Sequence, residues 1–307
     1  MSEWSFENWY PSRFGADDVL GSLNLITPAS ILKALQCVKK GVVYDLSFVL
    51  EHDIPVPSFH GQYFANTQHT LENAVDWHDR ALGKMRNGYS AQNLRLAISD
   101  HSGTHIDQLN HVGERQANGD FLLYNGRRNA DVISSFGTTE LGVEHTTPII
   151  SRGVLIDIAG DNGVDILPAG YAIQPDELDA ALAKQGVAVE EGDAVLVNTG
   201  WGRDWKNPEK MLSGEPGLGK ACAKWAVDKN IVSWGLDQFA TDPVPFEFEG
   251  EALPMHIAML TKAGIRLMEN VNLQPLLEEG AFEFLTIAAP LKIRGATGLP
   301  IRLLALV

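Results

Sequence analysis

The sequence predicts a mixed-sheet α/β fold in a single domain spanning residues 1–307. Segments with the alternating or short apolar patterns of strands outnumber the helical segments. Helices and strands alternate mainly in the second half of the chain, which differs from the regular repeat of a doubly wound sheet. A chain of 307 residues can also bury a large core.

The first half of the chain begins with an N-terminal arm over about residues 1–40. Within it, residues 28–39 are predicted to form an amphipathic helix, with Thr27 as its cap and Pro28 in its first turn. Residues 42–50 alternate as a strand. Residues 51–93 contain His52, His60, His69 and His78 and few periodic apolar residues. Long irregular segments of this kind are usually functional, so a loop on the substrate side is predicted.

The second half of the chain predicts a succession of short strands and helices. A strand at residues 94–98 leads into a histidine-rich segment. The further strands are predicted at residues 153–158, 194–198, 231–236, 265–268, 282–288 and 301–306, and the helices at residues 175–184, 219–229 and 254–263. Gly186 and Gly264 are expected to end two of these helices, because glycine favours the left-handed conformation at a helix C-terminus.

Composition and charge narrow the class of protein. The formal net charge of −15 argues against nucleic acid or an anionic membrane as a partner, since both attract basic surfaces. No apolar run approaches the length of a membrane span, and the first residues lack the pattern of a signal peptide. Cys37 and Cys222 form neither a C-x-x-C motif nor a disulfide framework. A cytoplasmic enzyme acting on a small-molecule substrate is therefore expected.

The segment from Asp100 to His111 is the strongest indication of function. Imidazole and carboxylate groups together suit zinc, manganese or iron(II), and imidazole also transfers protons near neutral pH. His105 and Asp107 are two residues apart, so in an extended segment both side chains point to the same side and can bind one ion. Gly103 permits a bend that would bring His101 to the same point. His111 follows closely enough to act beside the ion without binding it.

A second pair of residues is predicted to complete this site. His256 lies near the start of the helix at residues 254–263, and Glu269 lies at the end of the strand that follows. A helix that turns back into a strand can bring its own start and the end of the strand to one edge of a sheet. His256 could instead cap its helix, and Glu269 could be a surface carboxylate.

The run His101-x-Gly103-Thr104-His105-x-Asp107-x-x-x-His111 resembles the H-x-G-T-H-x-D-x-x-x-H signature of the cyclase family of metal-dependent hydrolases. This family includes kynurenine formamidases and isatin hydrolases. The resemblance extends over most of the chain. It is carried further by Gly21–Pro28, Gly153–Asp157, Thr199-Gly200-Trp201, the His256 to Glu269 region and the tail Ala289–Gly298. The present sequence departs from it at Gln108 and Leu109, where many members have a small residue and a proline.

The resemblance implies a swivelling β/β/α fold and a homodimer or homotetramer. It implies that His101, His105 and Asp107 are metal ligands, that His256 and Glu269 complete the metal site, and that His111 transfers protons. The implied cofactor is Zn²⁺ or Mn²⁺, as one ion or as two ions bridged by the aspartate and the glutamate. Gln108 is expected to add a polar group beside the metal.

These residues predict hydrolysis of a cyclic amide, a lactone or a small N-acyl or formamide compound. A metal ion lowers the pKa of bound water to about 7, so that hydroxide is available as a nucleophile, and His111 would transfer the proton. Two alternatives remain. His105, Asp107 and His256 also match the facial triad of a non-haem iron(II) oxygenase, which would be expected on a jelly-roll barrel. The protein could also bind metal without catalysing a reaction.

Overall fold

A nine-stranded mixed sheet organises the computed structural model, which describes residues 4–61, 63–67, 80 and 93–307. The strands of this sheet in chain order are β1 (Val43–Asp45), β2 (His105–Asp107), β3 (Ile149–Asp157), β4 (Ala194–Asn198), β5 (Ser233–Leu236), β6 (Arg266–Glu269), β7 (Glu283–Ala288), β8 (Gly298–Pro300) and β9 (Leu304–Leu306). Their spatial order is β1-β9-β7-β3-β4-β5-β6-β2-β8. The four central strands β3 to β6 are parallel, and the outer strands pair antiparallel.

Both faces of the central strands are buried. Along β4, Val195 and Val197 belong to one apolar cluster, and Ala194 and Leu196 belong to another on the opposite face. Side chains alternate between the two faces of a strand, so a continuous apolar run indicates cover on both sides. This explains why β4 reads as an unbroken apolar segment.

Eight short helices surround the sheet in the described part of the chain. They are α1 (Pro28–Ala34), α2 (Asn129–Val132), α3 (Ile158–Asp161), α4 (Pro175–Gln185), α5 (Pro208–Met211), α6 (Cys222–Asp228), α7 (Pro254–His256) and α8 (Gln274–Glu279). A π-helical turn, Ile257–Ala263, continues α7. The 3₁₀ helices are Gly21–Leu25, Leu35–Cys37, Ser58–His60, Tyr124–Gly126, Val143–His145 and Trp201–Asp204. Gly186 and Gly264 adopt the left-handed conformation where α4 and the π-helical turn end, as predicted.

Several small strand pairs lie outside the main sheet. They are Phe64–Thr67 with Leu94–Ala97, Ala172–Ile173 with Gly217–Leu218, Ile133–Ser134 with Gly137–Thr138, and the group Glu114–Arg115, Phe121–Leu123 and Arg127–Arg128. The strand predicted at residues 94–98 therefore exists, but it pairs with part of the predicted irregular loop. Residues 68–79 and 81–92 of that loop, with His69 and His78, lie outside the described residues.

The expectation of a mixed-sheet α/β fold is confirmed, and two element boundaries are corrected. The predicted strand at residues 42–50 is limited to β1, because Leu46 and Ser47 bind the backbone near Leu303 rather than continuing a ladder. The predicted helix at residues 28–39 is α-helical only to Ala34 and then tightens into a 3₁₀ turn. Thr27 forms its N-cap in a capping box with Ser30.

Candidate metal centre

Strand pairing at one edge of the parallel strands brings the two distant halves of the site together. In the antiparallel pair of β2 and β6, His105 lies directly opposite Glu269. Directly opposed residues present their side chains on the same face, and Asp107 shares that face because it is two residues from His105. Ile106 points the other way, into the apolar core. The strand register therefore places one imidazole and two carboxylates on the same face of the sheet.

His105 is oriented by the bend that precedes β2. Its Nδ1–H donates to the carbonyl oxygen of Gly103 at 2.8 Å, which leaves Nε2 with a free lone pair. Gly103 has a φ of 62°, a conformation that favours glycine, so the predicted bend is present. The Nε2 atom is buried and has no hydrogen-bond partner. This unpartnered nitrogen points toward the carboxylates of Asp107 and Glu269.

His101 is oriented by a residue of the tail Ala289–Gly298, a segment that resembles the family but for which the sequence predicts no role. The Nε2–H of His101 donates to Thr297 Oγ1 at 2.9 Å, and that hydroxyl donates in turn to Asp100 at 2.9 Å. The Nδ1 atom of His101 lies 2.8 Å from Asp107 Oδ1. A hydrogen bond at one ring nitrogen fixes the other as the ligand atom. Burial alone would raise the pKa of Asp100, but His101 and the Thr297 donors outweigh burial and lower it.

His256 and Glu269 are oriented by a loop that the sequence did not reveal as functional. The Nδ1 atom of His256 lies 2.6 Å from the carboxylate of Asp242, which leaves Nε2 directed at Asp107 and Glu269. Glu269 Oε1 accepts hydrogen bonds from the backbone N–H of Thr241 at 2.8 Å and from its hydroxyl. No periodicity or motif singles out Thr241 and Asp242, so only the folded chain identifies them.

The donor atoms of this cluster are spaced as a metal site requires. The Nε2 atom of His105 lies 3.5 Å from Asp107 Oδ1 and 3.4 Å from Glu269 Oε2. The Nε2 atom of His256 lies 3.4 Å from Asp107 Oδ2 and 3.3 Å from Glu269 Oε1. Ligands at zinc distances of about 2.0–2.1 Å in a tetrahedron are separated by roughly 3.3–3.4 Å. Each carboxylate thus presents one oxygen to each histidine, an arrangement that also suits two bridged ions.

The chemistry of these residues fits a divalent metal. Asp107 is fully buried, and its Oδ2 atom, like Nε2 of His105, has no hydrogen-bond partner. Unpartnered polar atoms are costly inside a protein, and an ion would satisfy both. Burial alone would raise the pKa of Asp107, but His111 and His101 outweigh it and lower the pKa well below its usual range. Burial would lower the pKa of His256, but Glu269 and Asp107 outweigh it and raise the pKa.

His111 differs from the other histidines in its exposure. Its side chain retains 23% exposure, whereas those of His101, His105 and His256 are almost completely buried. Its ring stacks on that of His101 with centroids 3.9 Å apart, and its Nε2 lies 3.8 Å from Asp107 Oδ2. Burial, opposed by Asp107 and assisted by His101, lowers the pKa of His111 to about 4. The imidazole is therefore neutral at neutral pH, and its exposed edge is within reach of solvent.

His60 and Phe239 lie beside the cluster. The His60 ring centroid is 5.4 Å from that of His101 and 5.7 Å from that of Phe239. The Phe239 ring is 6.5 Å from His105. His60 is one of the histidines of the segment predicted to be a loop on the substrate side. The structure places this part of the segment beside the metal cluster.

The residues predicted for the site are brought together, and one expectation about its surroundings is wrong. His101, His105, Asp107, His111, His256 and Glu269 all lie in one cluster. Gln108 does not add a polar group beside the metal: its Oε1 accepts from Arg266 Nε at 2.9 Å and from Thr146. Because it adjoins Asp107 on an extended strand, its side chain points to the opposite face. Leu109 is fully buried in the core.

The family of the chain follows from a match to the cyclase family over residues 44–243. The protein belongs to the cyclase family. Among curated proteins, isatin hydrolase from Roseibium aggregatum is 27% identical over 218 residues, which cover 69% of this chain and 73% of that protein. The mixed sheet also differs from the jelly-roll barrel that the iron(II) oxygenase alternative would be expected to show.

Solved structures of cyclase-family proteins share the swivelling β/β/α fold. The crystal structure of a novel cyclase is similar to this chain with a TM-score of 0.84 and 28% identity, over 98% of this chain and 99% of the other. Isatin hydrolase A from Ralstonia solanacearum matches with a TM-score of 0.62 and 22% identity, over 92% and 98% of the two chains. In the described part of the present chain, no helix is long and apolar enough to cross a membrane.

Proposed function

We propose that this protein is a metal-dependent hydrolase that opens a cyclic amide or lactone, or cleaves a small N-acyl or formamide compound. The observation that carries the proposal is the pair of unpartnered buried atoms, His105 Nε2 and Asp107 Oδ2, beside a partly exposed neutral imidazole. The first two atoms are suited to bind a metal ion, and His111 is suited to carry a proton. The hydrolase activity of the relative from Roseibium aggregatum supports the same class of reaction.

The residues that would hold the metal are His101, His105, Asp107, His256 and Glu269, and the ion would be Zn²⁺ or Mn²⁺. When bound, such an ion acidifies water and polarises a carbonyl group. The side chains of Asp242, Thr297 and Thr241 keep the ligands oriented through hydrogen bonds.

His111 would perform the proton transfers of the reaction. Its Nε2 atom faces the cluster, and its neutral ring accepts the proton of the attacking water. The same nitrogen then returns the proton to the leaving nitrogen or oxygen of the substrate, which regenerates the neutral ring and gives a carboxylic acid that ionises by releasing its own proton to solvent. The stacking contact with His101 holds the ring in place during both transfers.

The proposal is tested by metal analysis of protein purified without chelator, followed by assays on a panel of lactones, cyclic imides and formamides. We expect about one or two ions of zinc or manganese per chain and hydrolysis of at least one substrate class. His105→Ala should lose both metal and turnover. His145→Ala is the matched control, because His145 is an exposed histidine paired with Glu144 outside the cluster. Bound metal without hydrolysis of any of the compounds would contradict the proposal.

The proposal extends to the oligomeric state and the cellular location of the protein. We propose a homodimer or homotetramer acting in the cytoplasm on a small-molecule substrate, as the family resemblance and the acidic composition suggest. Sedimentation measurements on the purified protein test the first point, and cell fractionation tests the second.

A further inference from the structure

An apolar cavity of about 660 Å³ opens beside the metal centre. Its walls include Val56, Phe59, Met211, Leu212, Phe239 and Phe246. Phe59 is 79% exposed, Leu212 43% and Phe246 37%, so large apolar side chains surround an open entrance. Contiguous exposed apolar surface of this kind marks binding sites more often than chance, and the volume is in the range of small-molecule sites.

Two of the residues that line this cavity, Phe239 and Phe59, lie close to the metal centre. Phe239 lines the cavity, and its ring also lies 6.5 Å from that of His105. Phe59 lines the cavity, and the next residue, His60, has its ring 5.4 Å from that of His101. These ring contacts place the cavity next to the metal centre.

The described lining of the cavity is predominantly apolar. None of the described residues that line it is a lysine, an arginine or a histidine. Its one carboxylate, Glu215, is almost completely buried and accepts hydrogen bonds from the backbone N–H groups of Phe239 at 2.9 Å and Ala240 at 2.6 Å. Glu215 thus holds the Phe239 wall in place, and no residue of the described lining carries a positive charge that would pair with an anionic substituent.

We propose that this cavity binds the apolar substituent of an uncharged carbonyl substrate whose reacting carbon lies at the metal centre. The proposal rests on the proposed function and narrows its substrate class to neutral compounds with an apolar group of several carbon atoms or a ring. Binding energy from such a remote group is used at the reacting centre, so it raises kcat/KM for these compounds.

The kinetic test compares an unsubstituted γ-lactone with γ-octyl and γ-phenyl lactones on the metal-loaded enzyme. We expect kcat/KM to be at least about tenfold higher for the substituted lactones. Phe59→Ala and Leu212→Ala should each reduce that preference several-fold, through a lower kcat/KM for the substituted lactones. Phe136→Ala and Leu32→Ala are matched controls, because these residues are 94% and 65% exposed and do not line the cavity. Equal kcat/KM values for all three lactones would overturn the proposal.

A binding measurement separates this proposal from the proposed function. The neutral fluorescent probe N-phenyl-1-naphthylamine should bind the metal-free protein at one site, be displaced by the γ-octyl lactone, and bind more weakly to F59A and L212A but not to F136A. Probe binding of this kind without turnover of any lactone, cyclic imide or formamide in the panel would support the cavity and refute the hydrolase. If F59A and L212A instead dissociate an oligomer on size-exclusion chromatography and leave probe binding unchanged, this face is an interface between copies and the proposal is wrong.

Discussion

The individual histidines of the site differ in role because each has different neighbours. Three of them have one ring nitrogen hydrogen-bonded to a neighbouring group and the other turned toward Asp107 or Glu269. The neighbouring group is a backbone carbonyl for His105, a threonine hydroxyl for His101 and a carboxylate for His256. His111 has no such hydrogen bond among the described residues and keeps some exposure. A fixed nitrogen suits metal binding, whereas an accessible neutral imidazole suits proton transfer.

Replacing His111 with alanine should separate metal binding from turnover. We expect H111A to keep its metal content and to lose turnover by about 10²–10⁴-fold, the usual contribution of a general acid–base group. Metal analysis and steady-state kinetics measure the two properties on the same preparation. His145→Ala serves as the control for removal of a histidine. Loss of metal from H111A would show instead that His111 is a ligand.

Replacing Asp242 with asparagine should lower the metal affinity of the site, although Asp242 would not itself contact the ion. The asparagine keeps the size of the side chain but removes the charge beside His256 Nδ1. Loss of a hydrogen-bond partner of this kind lowers metal affinity by about 10–100-fold. A competitive metal titration measures the effect. Asp228→Asn, at an exposed position paired with Lys224, should leave the affinity unchanged. Equal affinities in D242N and D228N would show that Asp242 does not orient the ligand.

At the scale of elements, strand β2 connects the parts of the site because it lies between β6 and β8. Its pairing with β6 sets His105 against Glu269, and its pairing with β8 sets Asp107 against Gly298. A shift of one residue in either pairing would turn the ligands into the core. Gly298 also leaves room for the imidazole of His101, since a Cβ atom there would lie 2.5 Å from His101 Cε1.

Replacing Gly298 with alanine should therefore displace His101. We expect the protein to fold and its metal affinity to fall by at least about tenfold, because one ligand of the set can no longer reach the others. Gly163→Ala is a useful comparison: a Cβ atom at Gly163 meets nothing within 4 Å, so that variant carries only the strain of a φ of 68°. Metal titration and thermal unfolding of both variants distinguish the two effects. Unchanged affinity in G298A would disprove the steric role of Gly298.

At the scale of the whole molecule, the metal centre lies where segments far apart in the sequence meet. Residues from the segments at 100–111, 241–242, 256, 269 and 297 surround it. Asp107 and Glu269 are buried together, which is unfavourable without positive charge nearby. An ion bound there contacts several elements at once and binds only the folded chain, so it contributes to global stability.

Removal of the metal should lower the melting temperature of the protein. An ion present at about a thousandfold excess over its Kd stabilises the folded state by about 4 kcal/mol, which corresponds to a shift of roughly 6 °C in a protein of this size. Thermal unfolding with and without chelator measures the shift, and readdition of Zn²⁺ or Mn²⁺ should reverse it. H105A should melt at the same temperature with and without chelator. A wild-type protein insensitive to chelator would contradict a structural contribution of the ion.

The sequence by itself determined the residue types of the candidate site and most of the main strands and helices. The spacing of His101, His105 and Asp107 is local, so alternation along an extended segment suffices to predict their common direction. The segments that became β4 and α4 were predicted nearly to the residue, because their apolar patterns and caps are also local. His256 and Glu269 could be named, although their meeting with His105 could not be derived from spacing.

Only the tertiary structure decided what surrounds the ligands. Asp242, Thr241 and Thr297 orient the site through hydrogen bonds that cross from one element to another. Gln108 follows a ligand in the chain yet points into the core, where Arg266 binds it. The cavity beside Phe59 and Phe239 arises from three separate segments. Such arrangements depend on strand register and on the packing of distant residues, and neither quantity is present in any local pattern of the sequence.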